Sequence, residues 1–459
     1  MVVMSRMNAV LAIVGILTIG LTLPLYAKEK PQPLSYPPKL PNGEPMVTVE
    51  SPDFLQSSGS LRDGVIIAKQ APKIDFMYFP GQDYPGQPWS VWGDGCTVGE
   101  KYYTAIGDHH APQGTARVFE YDPSTKQLRM LVDLKTFLKS SGAIPESMNY
   151  LPAKIHSRID IGSDGWLYYS GHRGSPGTTN DKHGFLGDWI YRTHPESGKT
   201  EIVAAHPIPK HVIPCSVLDP QRLIFYGGSA AGKDAPLQGV QFFAYDVRNK
   251  KMLYSGPDGP ARYMALARST GRLYYIAGGE GGAGPLLRFD PEKEPKPVPV
   301  GTDIGMRAAT QETPQGFIYT VSRDPEATLW SLNTRTEQVE KLGSAIVAKQ
   351  SYITTLDVDP TGRFLYYIAG AHGGGAGDGT PIVQFDVRSK TKKVIAFLHP
   401  YFQRTYGYTP DGTFSSAVSG SGEKLFITWN GTRNPEPKGS STWESCALTV
   451  IHIPASERE

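Results

Sequence analysis

Short runs of aromatic and aliphatic residues alternate with turn-forming residues along most of the chain. One recurring pattern is an apolar strand, a turn and a second strand, as in VFEYDPSTKQLRMLV from Val118 and FFAYDVRNKKMLYSG from Phe242. Asp and Asn suit such turns because their side chains hydrogen-bond the local backbone and tolerate turn geometry. The pattern predicts six similar β-hairpins, with turns at Asp122, His194, Asp246, Asp290, Asn333 and Asp386.

A second kind of hairpin, with a tight turn that often contains glycine and an aromatic, usually Tyr-rich second strand, precedes each of these copies. Examples are HSRIDIGSDGWLYYSG from His156 and TTLDVDPTGRFLYYIAG from Thr354. Two hairpins per unit give four antiparallel strands, and four-stranded units that repeat at this period are typical of a β-propeller. We therefore predict an all-β fold with seven four-stranded blades. Six blades plus a separate hairpin, and eight blades, are the alternatives.

The predicted propeller occupies residues 61–459. The last unit lacks a fourth strand at the C-terminus, so we expect an N-terminal strand near residues 64–72 to close the ring. Closure removes sheet edges that would otherwise pair with other chains. Only residues 131–142, LVDLKTFLKSSG, have the pattern of a short helix. The blades are predicted near 85–134, 154–204, 211–256, 261–300, 305–343, 351–398 and 413–454.

The first 30 residues combine a basic start at Arg6, an apolar stretch from Ala9 to Leu25 and a small residue at Ala27. This order is typical of a secretory signal peptide, so residues 1–27 predict export to the periplasm or the cell exterior. An uncleaved membrane anchor is the alternative, whereas cleavage would leave a protein with no stable membrane insertion. Residues 28–60, which are rich in proline at their start, are expected to form an extended linker or N-terminal segment.

Charge and cysteine content exclude some function classes. The formal net charge is +2, so no global field favours nucleic acid as a partner. The chain has three cysteines, which leaves at least one unpaired, and it contains no CxxC motif. The sequence is therefore neither a disulfide scaffold nor a c-type cytochrome.

The predicted strand order places the short hairpin turns on one face of the ring and the long connections on the other. Long loops on a rigid scaffold are where functional residues concentrate. Residues that open the innermost strand of each blade should face the mouth of the central channel on that second face. Basic, imidazole and phenolic side chains from several blades fall there, and we expect them to form one site. The candidates are His156, His172 and Tyr263 for proton transfer, Arg158, Arg173, Arg262, Arg307 and Tyr352 for substrate binding, and His110, His211 and His372 for metal binding.

These residue types suit β-elimination on a uronic acid. Arginines bind and neutralise the carboxylate, an imidazole removes the adjacent C–H proton, and an acid protonates the departing oxygen. The sequence therefore predicts a polysaccharide or oligosaccharide lyase that acts on an acidic carbohydrate or a similar small anion. The alternatives are a lactonase or other hydrolase, and a non-catalytic propeller that binds a glycan or a protein. The histidines also allow a divalent metal such as Mn, Zn or Ca, and no other cofactor is expected.

The phrases YDPSTKQL from Tyr121 and DPTGRFLYYIAG from Asp359 resemble the blades of secreted bacterial seven-bladed propellers. The group in question is the broad YVTN/lactonase-like and propeller-lyase-like one, and the resemblance spans most of residues 85–454. It implies a His-lined face, with a bound divalent metal in some members. The resemblance rests on the pattern of the blades, so it assigns no catalytic position in this chain.

Overall fold

The strands of the chain form seven separate sheets arranged as the blades of one ring. The computed structural model describes residues 40, 42–57, 59–82, 89–108, 114–145, 148–174, 176–433 and 444–459. The innermost strands of neighbouring blades contact one another all the way round, so they enclose a central channel. The prediction of an all-β propeller with seven four-stranded antiparallel blades is confirmed.

The strands of each blade follow in chain order from the channel outwards, and the innermost strand of blade 1 is interrupted. Blade 1 contains Trp89–Ser90 and Cys96–Val98, then Lys101–Asp108, Ala116–Asp122 and Gln127–Asp133. Blade 2 contains Asp160–Ile161, Leu167–Ser170, Trp189–Thr193 and Thr200–Ala205. Blade 3 contains His211–Asp219, Ile224–Ala231, Val240–Asp246 and Lys251–Gly256. Blade 4 contains Met264–Ala267, Arg272–Ile276, Ala283–Phe289 and Val298–Gly305.

The remaining blades continue this order. Blade 5 contains Ala308–Ala309, Phe317–Val321, Thr328–Asn333 and Val339–Ser344. Blade 6 contains Ile353–Val358, Phe364–Ala369, Pro381–Asp386 and Thr391–Phe397. Blade 7 contains Thr409–Val418, Lys424–Thr432, Ser445–His452 and, from the N-terminal side, Lys73–Tyr78. In the described part of the chain the α-helices are Leu134–Ser140 and Tyr401–Tyr406, and the 3-10 helices are Pro52–Leu55, Pro176–Thr178, Asp181–His183, Gly375–Asp378 and Ala455–Glu457.

An N-terminal strand closes the ring, but it lies just beyond the range that the sequence predicted. Lys73–Tyr78 pairs antiparallel with Ser445–His452, and Met46–Val49 adds a further strand outside it. The predicted segment near 64–72 instead contributes Ile66–Ile67, which pairs in parallel with the outer edge of blade 6. The physical reason is burial, because a strand in a blade is covered on both faces. Residues 74–78 are buried, whereas Ile66 and Ile67 are 47% and 36% exposed.

The paired tyrosines of the second strands explain why the blades stack. Successive residues of a strand point to opposite faces of its sheet. Both members of the pairs Tyr168–Tyr169 and Tyr274–Tyr275 are fully buried, since each blade packs between two others. Burying both faces of every blade in this way builds an apolar core between neighbouring blades.

Several local predictions also have a counterpart in the structure. Asp122 and Asp386 accept backbone N–H groups within their own turns, as the turn chemistry requires. The predicted helix is present as Leu134–Ser140, and the Asp133 carboxylate caps it by accepting the Thr136 N–H. All three cysteines are buried and free. No helix in the described part of the chain is long and apolar enough to cross a membrane.

The predicted signal peptide, residues 1–27, lies outside the described residues, as does most of the Pro-rich stretch that follows it. Export therefore stays a prediction. The segment expected to be an extended linker through residue 60 is only partly so, because Met46–Val49 belongs to the sheet of blade 7.

Candidate active site at the channel mouth

A cavity of about 210 Å³ opens at one end of the channel and gathers side chains from blades 1, 2, 4, 5, 6 and 7. Seven of the eleven residues that the sequence nominated line this cavity, which we call the mouth cavity. The structure therefore brings most of the predicted site together, whatever role each residue has. Its lining consists of Trp92, Lys154, His156, His172, Arg173, Arg262, Arg307, Tyr352, His372 and Phe414.

The start of blade 2 supplies four of these residues through one local pairing. The Lys154 N–H donates to the His172 carbonyl at 3.3 Å, and the His172 N–H donates to the Lys154 carbonyl at 2.8 Å. This pairing holds Lys154, His156, His172 and Arg173 at the same rim. A side chain on Gly93 would collide with the Ser157 carbonyl at 2.2 Å, so glycine is what lets the Trp92 loop lie against this segment.

Alternate residues of this segment reach successively deeper into the channel. Lys154 lines the mouth cavity, while His156 lines both the mouth cavity and a narrow passage of about 20 Å³ beneath it. Arg158 lines that passage and a further cavity of about 350 Å³, which we call the lower cavity. Three basic or imidazole side chains at every second residue therefore follow the channel axis.

Aromatic rings form the apolar part of the mouth cavity. The Trp92 and Phe414 ring centroids are 4.9 Å apart, and His372 lies 5.5 Å from Phe414 and 4.6 Å from Tyr352. The Lys154 Nζ lies 4.3 Å from the centre of the Trp92 ring. Flat rings beside cationic groups are well suited to stack against the apolar face of a ligand ring while charges bind its polar edge.

His156 and His172 are adjacent and uncharged at neutral pH. Their ring centroids are 5.2 Å apart, and the Nδ1 atoms lie 2.9 Å from the Pro214 carbonyl and 3.1 Å from the Arg173 carbonyl. Because a carbonyl only accepts, each Nδ1 carries the proton and each Nε2 keeps its lone pair. Burial, and the neighbouring Lys154 charge, hold the pKa of both imidazoles well below the usual value. Each Nε2 is therefore available as a proton acceptor.

The mouth carries more positive charge than its carboxylates balance. Glu280 pairs with Arg262 at 2.9 and 2.6 Å and with Arg323 at 2.6 Å. Within the described ranges, no carboxylate forms an ion pair with Arg173 or Arg307. Burial lowers the pKa of both these guanidinium groups, and it lowers the pKa of Lys154 far more.

Arg307 also orients a phenol at the same rim. Its Nε–H donates to the Tyr352 Oη at 2.9 Å, and the Arg307 guanidinium lies 5.1 Å from the Tyr352 ring centre. Because Tyr352 accepts this hydrogen bond, its own O–H remains available to donate elsewhere. His372 stands beside this phenol, and partial burial together with Arg307, Arg323 and Arg262 lowers its pKa to about 4.

Two residues expected at the mouth lie deeper, in a layer that separates the passage from the lower cavity. The Arg158 Nη1 donates to the Tyr263 Oη at 3.1 Å, and the Tyr263 O–H donates to the Asp94 Oδ2 at 2.8 Å. Arg158 also lies 3.6 Å from Asp160, and its side chain is only 10% exposed. Arg158 is therefore held by protein groups rather than presented to a ligand in the mouth cavity, which corrects its expected position.

Of the three predicted metal ligands, the structure describes His211 and His372, and only His372 lines the mouth cavity. His110 lies outside the described residues. His211 is turned to its own blade, where its Nδ1 bonds the Ser229 hydroxyl and its Nε2 bonds the Leu237 carbonyl, so it does not line the mouth cavity. The Trp92 ring lies 6.0 Å from the His372 ring and 5.9 Å from the His156 ring. Among the described residues, which do not include His110, no group of three or more His, Cys, Asp or Glu is arranged to hold a metal, and a metal at this site stays a prediction.

Sequence reasoning missed several residues of the site. Lys154 belongs to the same basic stretch as His156 and follows the same alternation, so that pattern was a usable signal. Trp92 and Asp94 lie in VWGDG, where flanking glycines mark the break in the innermost strand of blade 1. Phe414 and Glu280 carried no signal, because an aromatic residue in a buried strand and a glutamate in a Gly-rich loop are common.

Comparison with known proteins supports the fold alone. No protein-family model matches the chain, and no curated protein matches its sequence significantly. A chain of the mitotic checkpoint complex crystal structure is similar, with a TM-score of 0.51 and 12% identity over 88% of this chain and 97% of that chain. The WD40 repeats of RRP9 are also similar, with a TM-score of 0.48 and 9% identity over 86% of this chain and all of that one. At these identities neither similarity bears on activity.

Proposed function

We propose that the mouth cavity binds an acidic carbohydrate, or a similar small anion, and that the protein is a lyase acting on it. The observation that carries this proposal is the cluster of Lys154, Arg173, Arg262 and Arg307 around an aromatic wall, where Glu280 pairs with Arg262. Arg173 and Arg307 would bind the ligand carboxylate, since guanidinium groups bind carboxylates through paired donors. Trp92 and Phe414 would contact the sugar ring.

The proposed reaction is β-elimination. Binding of the carboxylate by arginine neutralises it and makes the adjacent C–H more acidic. His156, with His172 beside it, would remove that proton through Nε2, and the electron pair would form the new C=C bond as the C–O bond breaks. Tyr263, at the passage below the cavity, would supply the proton that the departing oxygen takes up. One C–H and one C–O bond break, and one C=C and one O–H bond form.

The test is incubation of the protein with polymers of uronic acids, including pectate, alginate, ulvan and glycosaminoglycans. Elimination creates a double bond conjugated to the carboxylate, which is followed by ultraviolet absorbance. We expect His156→Gln to abolish product formation while leaving ligand binding within about threefold, and Arg173→Gln to weaken binding by about tenfold or more. Arg62→Gln, at a surface ion pair with Glu326, is the matched control and should change neither.

The outcomes separate the alternatives. Absence of product from all these polymers excludes the lyase. Binding without turnover, lost in Arg173→Gln, would identify a non-catalytic glycan-binding propeller. Acid release from lactones that requires His156 would identify a hydrolase on the same scaffold.

A further inference from the structure

The central channel is divided by a layer of four charged or phenolic side chains from four blades. Asp94 comes from blade 1, Arg158 from blade 2, Tyr263 from blade 4 and Asp357 from blade 6. Asp94 and Arg158 line both the narrow passage and the lower cavity, and Asp357 lines the lower cavity. Asp94 and Arg158 therefore lie where the passage meets the lower cavity.

The hydrogen bonds in the layer have a direction. The Tyr263 Oη accepts from Arg158 at 3.1 Å and donates to Asp94 at 2.8 Å, so its proton points away from the mouth cavity. A tyrosine in this arrangement cannot protonate a group at the mouth. The bond reverses only when Asp94 carries a proton, because a protonated carboxyl can donate to the Tyr263 Oη and free the phenol proton.

Ser416 of blade 7 connects the two carboxylates of the layer. Its backbone N–H donates to the Asp94 Oδ1 at 3.4 Å, and its hydroxyl donates to the Asp357 Oδ2. Thr355 and Ser416 also share a hydrogen bond between their hydroxyl groups. Ser416 therefore positions both carboxylates, Asp94 through its backbone N–H and Asp357 through its hydroxyl.

The surroundings of Asp94 make both its protonated and its ionised form accessible near neutral pH. Burial and the nearby Asp357 charge raise the pKa of Asp94 to about 7, and burial raises the pKa of Asp357 to about 6. Arg158 and the Tyr263 hydrogen bond oppose this shift. The titratable and charged groups that act on Asp94 from its own and the other blades are Cys96, Tyr102, Arg158, Tyr263 and Asp357.

We propose that Asp94 and Tyr263 form a proton relay that carries protons from the lower cavity to the mouth cavity, with Asp357 beside Asp94 at the lower end. Its use in catalysis rests on the proposed function. When the departing oxygen takes the Tyr263 proton, Tyr263 takes the Asp94 proton, and Asp94 regains one from water in the lower cavity, which Asp94 and Asp357 both line. The proton that His156 removed returns to solvent at the mouth, so the cycle needs no other reactant. Asp94 and Asp357 act through Tyr263 and are positioning residues.

The first test needs no activity. Infrared difference spectra of the whole protein, recorded across a pH series, detect the C=O band of a buried protonated carboxyl. Buried Asp94, Asp357 and Asp188 all have raised pKa values, so we expect a signal that titrates near neutral pH and loses the Asp94 component in Asp94→Asn. In Asp357→Asn that component should titrate at lower pH, because a neighbouring negative charge is gone. Asp303→Asn, at an exposed position, is the control and should leave it unchanged.

The second test uses the elimination reaction. We expect the wild-type kcat to fall as pH rises through the titration of Asp94, and Asp94→Asn to lower kcat at least tenfold with KM within about twofold. Tyr263→Phe should lower kcat similarly while retaining the infrared band. An ordinary carboxyl titration near pH 4, or an unchanged kcat in Asp94→Asn, overturns the relay. If no substrate is turned over, the lyase proposal fails. The infrared titration still shows independently whether Asp94 carries a proton near neutral pH.

Discussion

Replacing Arg158 by methionine tests whether this arginine holds the channel together. The side chain is 10% exposed, and its Nη2 lies 3.6 Å from Asp160, which is itself 6% exposed. At this separation and an effective dielectric constant of about 20, one ion pair contributes roughly 4 kcal/mol of attraction. Removing one partner of a buried pair costs about 3–5 kcal/mol, because the other charge stays buried. Methionine retains most of the packing, so we expect a loss of about this size at pH 8.

The loss should shrink at pH 5. Because the pKa of Asp94 is raised to about 7, the native state binds this proton more tightly than the unfolded chain does. The stability that this provides is present at low pH and is lost as pH rises through the native pKa. Without Arg158 the pKa of Asp94 rises further, and each added unit makes the variant about 1.4 kcal/mol less stable at pH 8 than at pH 5.

The assay is urea-induced unfolding at the two pH values, followed by tryptophan fluorescence. Arg62→Met, at an exposed ion pair, is the control and should cost no more than about 1 kcal/mol at either pH. Combining Arg158→Met with Asp94→Asn should remove most of the pH dependence. A loss below about 1 kcal/mol at pH 8, or an equal loss at both pH values, would refute the view that Arg158 compensates buried carboxylates.

Two further variants test the ring closure and the mouth charge. Phe76→Ala removes a ring that is 1% exposed in the closing strand and should cost about 3–5 kcal/mol in thermal unfolding, whereas Ile67→Ala, 36% exposed, should cost under about 1 kcal/mol. Glu280→Gln removes the carboxylate that pairs with Arg262 of the mouth cavity and with Arg323 beside Tyr352, so calorimetry should show galacturonate or sulfate binding up to about tenfold more tightly. Glu326→Gln, at a surface ion pair with Arg62, is the control and should leave that affinity unchanged. A weaker affinity in Glu280→Gln would show that the Glu280 carboxylate orients the arginines instead of competing with the ligand.

The fold could be predicted because each blade repeats a local pattern. Turn residues such as Asp122 and strand pairs such as Tyr274–Tyr275 recur, and neither depends on distant contacts. The closing strand was misplaced because VII at 65–67 is more apolar than KIDFMY at 73–78. Asp75 is nevertheless fully buried, since His452, Thr48 and Lys126 satisfy its carboxylate. A core strand that contains a buried polar residue is hard to recognise from the sequence, because the partners of that residue lie far away in the chain.

The sequence predicted which residues surround the channel mouth, but not how deep each of them lies in the channel. Arg262, Arg307 and Tyr352 each stand one or two residues before an innermost strand, so the strand order alone places them at the mouth. Depth along the channel could not be predicted from the strand order. Arg158 and Arg262 both stand two residues before an innermost strand, yet Arg262 lines the mouth cavity and Arg158 lies below it, where Asp94, Tyr263 and Asp160 hold it among protein groups.

Lys154, His156 and Arg158 lie at successive depths between the two ends of the channel, and these ends differ in charge. The mouth cavity is lined by the basic residues Lys154, Arg173, Arg262 and Arg307, of which Arg262 pairs with Glu280. The lower cavity is lined by Asp94, Glu312, Asp357 and Asp359, with Arg158 as its cation. Like charges exclude one another, so an anion should enter from the mouth, and the carboxylates at the other end should admit protons rather than anions. Arg158 and Tyr263 lie between the basic mouth cavity and the acidic lower cavity. A site that must bind an anion and supply a proton gains from this order, because substrate and proton arrive from opposite ends and do not compete for one entrance.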